Sequence, residues 1–154
     1  VTMAEVLRRA GYLTAMGGKW HLGMWKGIGP VQRGFDRSFA SPVGELYYRN
    51  QPQPAARKVV IDGRDVPASS DELGKGDWYS SDLFVDWGTK FIEEARAKNK
   101  PFFLYLPFVA AHFPVMAPPE DVALPPPTRP STPGGRVSSS LVRITGTRSN
   151  AAEV

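Results

Sequence analysis

The stretch Gly17-Gly18-Lys19-Trp20-His21-Leu22-Gly23 decides how the chain is read. It sets a cation and an imidazole on alternate positions. In extended backbone such positions share a face, so Lys19 and His21 project together with Trp20 opposite. Glycines at 17, 18 and 23 let the backbone turn tightly and come close to something. A lysine and a histidine on one face between glycines suit an anionic group. A solvated lysine beside a packed histidine is the other reading, and the stretch alone leaves both open.

Upstream, Thr2-Met3-Ala4-Glu5 reads as a capping box. Met3, Val6, Leu7 and Ala10 follow at helical spacing, with Arg8 and Arg9 in the last turn and Gly11 as the stop. A short amphipathic helix is predicted at 3–10. Tyr12–Met16 is a short apolar run, predicted as a buried strand that delivers Lys19 and His21 at its C-terminal end.

Downstream, residues 24–80 are punctuated by glycine and proline and read as irregular. Two islands stand out: Gly34-Phe35-Asp36 as a turn with an aromatic anchor, and Arg57–Asp65 as a strand running into an Asp-Gly turn. So long an excursion within a domain is read as functional, shaping one side of a pocket. Ser81-Asp82 is predicted to open a second helix, with Ser at the cap. Its apolar stripe is Leu83, Phe84, Trp87, Phe91, Ile92 and Ala95, and Pro101 ends it. Phe102–Leu106 is a continuous apolar run, expected of a strand covered on both faces. Pro107 closes it, and Ala110-Ala111-His112-Phe113-Pro114 follows.

Each predicted strand thus ends in a turn carrying one of the chain's 2 histidines. In open α/β sheets ligands bind beyond the carboxyl ends of the strands. If the two strands are parallel neighbours, Lys19, His21 and His112 share one sheet edge. A histidine simply packed beside Phe113 and Pro114 is the alternative for His112.

Composition narrows the classes. The chain has 154 residues, 42% of them apolar, and 0 cysteines. Disulfides, thiolate metal sites and a cysteine nucleophile are therefore excluded within it. No apolar run approaches the roughly 20 residues of a membrane span. No signal-peptide pattern is read in the first residues, and the compartment stays open. The net charge of +4 is carried mostly by Arg129, Arg136, Arg143 and Arg148. These are widely spaced without interleaved aromatics, so nucleic acid is not an expected partner. Residues 1–124 read as a partial catalytic domain. Residues 125–154, rich in Pro, Ser and Arg, read as a disordered tail.

Three stretches in series resemble the sulfatase family, of alkaline-phosphatase-like fold. Gly11–Gly23, Gly-Tyr-Leu-Thr-Ala-Met-Gly-Gly-Lys-Trp-His-Leu-Gly, is similar to its signature Gly-Tyr-x-Thr-x-x-x-Gly-Lys-Trp-His-Leu-Gly. Arg33-Gly34-Phe35-Asp36 resembles the Gly-Phe-Asp that follows. Lys100–Leu106, continuing to Ala111-His112-Phe113-Pro114 and Ala117-Pro118-Pro119-Glu120, resembles the later strand and His-Phe/Trp-Pro loop. The resemblance covers residues 2–122 and implies an α/β fold, a partial sulfatase sandwich of strands with helices packed on them.

It also implies a function: hydrolysis of sulfate monoesters by a formylglycine nucleophile with calcium. Lys19 and His21 match the pair that contacts the formylglycine hydrate and the sulfate. His112 matches the residue that bonds the ester and helps the leaving oxygen depart. Fixed donors around a developing oxyanion suit that chemistry. The departures are as definite. There is no cysteine and no Ser-x-Pro-x-Arg. Ser131-Thr132-Pro133-Gly134-Gly135-Arg136 comes close, but its Arg is one residue late. The carboxylates expected to hold calcium are not found, and Val109 stands where the family usually has Asn. The expected partner is a sulfate ester. A non-catalytic anion-binding remnant is one rival reading, and a phosphate or phosphonate ester hydrolase is another.

Overall fold

A computed structural model describes residues 1–23, 27–42, 46–49, 58–113 and 115–123. The tail expected at 125–154 lies outside these residues. Among them are strands β1 (Leu13–Lys19), β2 (Arg37–Ser41), β3 (Lys58–Ile61), β4 (Arg64–Pro67) and β5 (Phe102–Tyr105), with helices α1 (Met3–Arg9), α2 (Ser80–Ala97) and α3 (Pro119–Val122). The strands form one mixed sheet in the order β4-β3-β2-β1-β5. β1 runs parallel to both β2 and β5, and β2, β3 and β4 are antiparallel.

Strand β1 is longer than its apolar run because Gly17 and Gly18 continue it rather than turn it. At Gly17 a Cβ would lie 2.9 Å from the Phe84 backbone oxygen of α2. At Gly18 (φ +148°) it would lie 2.1 Å from the Pro107 oxygen. The glycines serve close approach, and a side chain at either would push the strand off its neighbours. Gly88 does the same from the helix side, where a Cβ would meet Leu104 and Leu106.

Residues 24–80 are less irregular than expected. Arg37–Ser41 is a fully paired inner strand, and Lys58–Pro67 is a hairpin. The strand reading near 57–65 is right, with Asp62 (φ 49°) and Gly63 (φ 87°) forming the two-residue turn that twisted strands prefer. Strand β2 escaped detection because only Phe39 and Ala40 of its five residues are apolar. Its Ser38 and Ser41 are nonetheless buried, Ser41 paired with Lys19 of β1 and Ser38 lying between Met16 of β1 and Asp62 of the hairpin turn. Helix α2 begins at Ser80 instead of Ser81, with Tyr79 at the cap, because Tyr48 pairs with Tyr79 and the Ser80 N–H donates to the Tyr47 carbonyl (2.7 Å). Strand β5 is not covered on both faces: Phe102 and Tyr105 are each 45% exposed. Among the described strands it pairs only with β1 and forms the sheet edge.

The core lies on both faces. Helix α2 covers one, with Phe84, Trp87 and Phe91 buried and Phe39 stacked on Trp87 at 4.9 Å. Burial of such rings stabilises by about 2 kcal/mol each. The opposite face holds Ala4, Met16, Trp20, Phe35, Ala40 and Val60. Helix α1 is seated there by its capping box, in which the Glu5 N–H donates to Thr2 Oγ1 (3.1 Å) and Glu5 accepts from the Thr2 N–H (2.9 Å). Thr2 Oγ1 in turn donates to the Arg33 carbonyl (2.7 Å). The Gly-Phe-Asp stretch is the joint between α1 and β1. Thr14 Oγ1 donates to the Gly34 carbonyl (2.7 Å), the Asp36 carboxylate accepts from the Thr14 N–H (3.1 Å), and Phe35 fills the face between Trp20 and Phe103.

Candidate functional site

Strand β1 is pinned on both sides where it ends. The Lys19 N–H donates to the Pro107 carbonyl (2.7 Å), and the Trp20 N–H donates to the Ser41 carbonyl (2.9 Å). Trp20 is buried and its Nε1–H donates to the Ile28 carbonyl (3.1 Å). With Trp20 locked inward, Lys19 and His21 are left at the surface, half-buried and exposed respectively. The strand ends at Lys19 and His21 stands in the turn that follows, so the two are set apart from Trp20 by exposure and not by strand alternation.

Lys19 and His21 border an open pocket of about 340 Å³, with Trp20, Leu22, Tyr105, Pro107 and Phe108 completing its wall. No carboxylate lines it. Among the described residues, the ion pairs engage neither Lys19 nor His21. A cationic wall without an internal counter-charge is open to an external anion. The sequence missed Tyr105 and Phe108 as wall residues. Their signal was the Pro107 stop, which places the strand end beside Lys19.

His112 leaves the neighbouring strand at the same end of the sheet, since β1 and β5 are parallel. Its side chain is not part of the pocket wall. The His112 N–H donates to the carbonyl of buried Val109 (2.9 Å), which closes a turn. Its ring is exposed, and Nδ1 donates to the Phe113 carbonyl (2.6 Å). That bond puts the proton on Nδ1 and leaves Nε2 outside it. The structure thus brings Lys19 and His21 together on one wall and sets His112 on the adjacent loop.

Two tyrosines that the sequence did not single out hold that loop. Tyr47, fully buried, donates from its hydroxyl to the His112 carbonyl (2.5 Å). Tyr79, stacked on it with centroids 6.2 Å apart, donates to the Met116 carbonyl (3.1 Å). Burial pushes the Tyr47 phenol above the ordinary tyrosine value, and Tyr79 adds to this. The phenol is thereby kept in its donating, protonated form.

Comparison with known proteins shows the family. The sulfatase family model matches residues 1–134. An arylsulfatase of Klebsiella aerogenes is 36% identical over 125 residues, covering 77% of this chain and 25% of that protein. N-acetylgalactosamine-6-sulfatase of Canis lupus familiaris is 34% identical over 119 residues, covering 75% and 23%. The solved structure of Ps i-CgsB in complex with k-i-k-neocarrahexaose is similar at a TM-score of 0.66 and 29% identity, covering 78% of this chain and 28% of that one. The chain therefore spans about a quarter of the length of these relatives.

Proposed function

Because this chain belongs to the sulfatase family, we propose that it supplies the cationic wall of a sulfate-ester pocket in a sulfuric ester hydrolase. The observation that carries this reading is the Lys19–His21 pair on a carboxylate-free wall, outside every ion pair among the described residues. Lys19 and His21 bind the sulfate oxygens and stabilise charge that develops on them. His112, with Nε2 outward, protonates the departing oxygen. Tyr105 and Phe108 offer ring faces to the alcohol part of the ester. A sugar or an aryl group suits such faces, and the similar Ps i-CgsB was solved with an oligosaccharide bound.

The formylglycine and calcium of the family do not fit the residues seen. The chain has no cysteine. Among the described residues, no group of 3 or more His, Cys, Asp or Glu side chains is placed to hold a metal. A complete enzyme would bring both from other segments. The same gap favours a second reading, in which the chain binds anions without chemistry.

Calorimetric titration of the 154-residue chain with inorganic sulfate tests the reading. Sulfate should bind, and Lys19→Ala should weaken it about 10- to 100-fold, as expected for loss of a charge-assisted bond. The chain alone should turn over no aryl sulfate above background, since the nucleophilic step is unmade. Sulfate binding indifferent to both Lys19→Ala and His21→Ala would refute the assignment. Calcium-dependent turnover by this chain would refute its incompleteness.

A further inference from the structure

The loop that carries His112 sends Val109 into the core and packs Met116 against it. Its tip, Ala110–Phe113, is exposed. A hydrogen bond to that tip comes from a distant part of the chain. Residues 46–49 run alongside the start of α2, with Tyr48 paired to Tyr79 and the Arg49 N–H donating to the Trp78 carbonyl (3.3 Å). Arg49 ties this segment to the 69–76 turn, donating from Nη1 to the Gly74 (2.7 Å) and Gly76 (2.9 Å) carbonyls. On that rigid base the Tyr47 ring is fully buried, and its hydroxyl lies 2.5 Å from the His112 carbonyl and 3.5 Å from that of Val109. Those carbonyls bracket the turn on which His112 stands.

From this geometry we infer that Tyr47 is the positioning residue for His112. Its buried hydroxyl holds the His112 backbone at one height above the sheet, so that the outward Nε2 faces the anion bound by Lys19 and His21. The inference rests on the sulfate-pocket reading and adds a residue to it. Tyr47 itself touches no substrate. Tyr79 serves as the natural comparator. It stacks on Tyr47 and bonds the same loop, but at Met116, past the histidine.

The chain has 2 histidines, so their imidazole nitrogen signals separate cleanly in an NMR titration with inorganic sulfate. In the parent chain both His21 and His112 should shift. In Tyr47→Phe, which removes only the hydroxyl, the His112 shift at saturation should collapse while that of His21 persists. Apparent sulfate affinity should weaken about three- to tenfold, the scale of one hydrogen bond. Tyr79→Phe should leave the His112 shift in place.

Equal His112 shifts in parent and Tyr47→Phe would overturn the positioning role and leave the pocket intact. Loss of both histidine responses in Tyr47→Phe would show a general structural role and overturn it too. A parent in which His21 moves and His112 does not would overturn the assignment of His112, and this inference with it. One further measurement needs no variant. The Tyr47 Cζ carbon signal should move in step with His112 during the parent titration. A Tyr47 signal indifferent to saturating sulfate while His112 moves would contradict the inference even if Tyr47→Phe does not fold.

Discussion

His21 and His112 lie beyond the C-terminal ends of adjacent parallel strands, but their surroundings assign them different work. His21 stands one residue beyond a buried, hydrogen-bonded Trp20 and on the same wall as Lys19. His112 donates its Nδ1 proton to the Phe113 carbonyl, which leaves Nε2 outside that bond. A group so tautomerised gives up a proton from Nε2 once protonated, which is the task of a general acid. The consequence is measurable in a complete sulfatase that carries this segment. A nitrophenolate leaves without help, whereas an alkoxide needs a proton. His112→Ala should therefore lose about 10²–10⁴-fold on an alkyl or sugar sulfate and far less on nitrophenyl sulfate. His21→Ala should impair both alike. Equal losses for His112→Ala across leaving groups of widely different pKa would reduce His112 to a sulfate binder.

Between elements, the joints are made by small residues and buried hydroxyls. Gly34 has φ +99°, and a Cβ there would lie 2.5 Å from the Glu5 backbone nitrogen. Gly34→Ala should destabilise by about 2–4 kcal/mol, through left-handed backbone strain and a backbone clash that flexible side chains cannot relieve. Urea denaturation measures this, and a loss below about 0.5 kcal/mol, the size of an ordinary surface substitution, would mean that the α1–β1 joint yields. The tyrosine joint has a pH signature. Burial raises both Tyr47 and Tyr48 above the ordinary phenol value, with Tyr79 adding in each case. Unfolded phenols release their protons near pH ~10, before the folded ones do. Stability is therefore full below that pH and falls as pH rises through the folded values. Tyr47→Phe should make the alkaline fall shallower while Tyr48 retains its share. Denaturation midpoints between about pH 8 and 11 check this, and an unchanged slope would contradict it.

These joints also mark where the sequence was readable. The capping box at Thr2–Glu5, the apolar stripe of α2 and the Asp62-Gly63 turn are local patterns, and each was read from its own residues. Strand β2 was not, because its buried serines are polar and only the neighbouring strands bury them. Nor was the extension of β1 through Gly17 and Gly18, whose purpose is visible only with Phe84 and Pro107 against them. The parallel pairing of β1 with β5 was only a condition of the sequence reading, because a long connection permits a crossover without choosing the neighbour. In the site, Lys19 and His21 were marked by their spacing. Tyr47 was hidden, because its partner lies 65 residues away and is a backbone carbonyl, which no motif encodes.

At the level of the whole molecule, the sheet gathers strand ends at one edge and leaves a cationic wall there. The wall belongs to a chain that covers 25% of the arylsulfatase it resembles. Among its carboxylates, Asp62 and Glu94 pair with Arg37, Asp65 with Lys58, and Glu72 with Arg64, all away from the wall. No carboxylate lines the wall, which leaves Lys19 open to an anion from outside. Among the described residues no helix is long and apolar enough to cross a membrane.

The most direct test of the central claim is a crystal structure of the chain soaked in sulfate. The account predicts one anion at the end of β1, with Lys19 Nζ and His21 each about 3 Å from a sulfate oxygen. The side-chain tips of Lys19, His21 and His112 should then fall within roughly 10 Å of one another, the span that donors about 3 Å from one small anion allow. An anion seated elsewhere with this wall left bare, or a His112 turned away to the far face of the sheet, would contradict it.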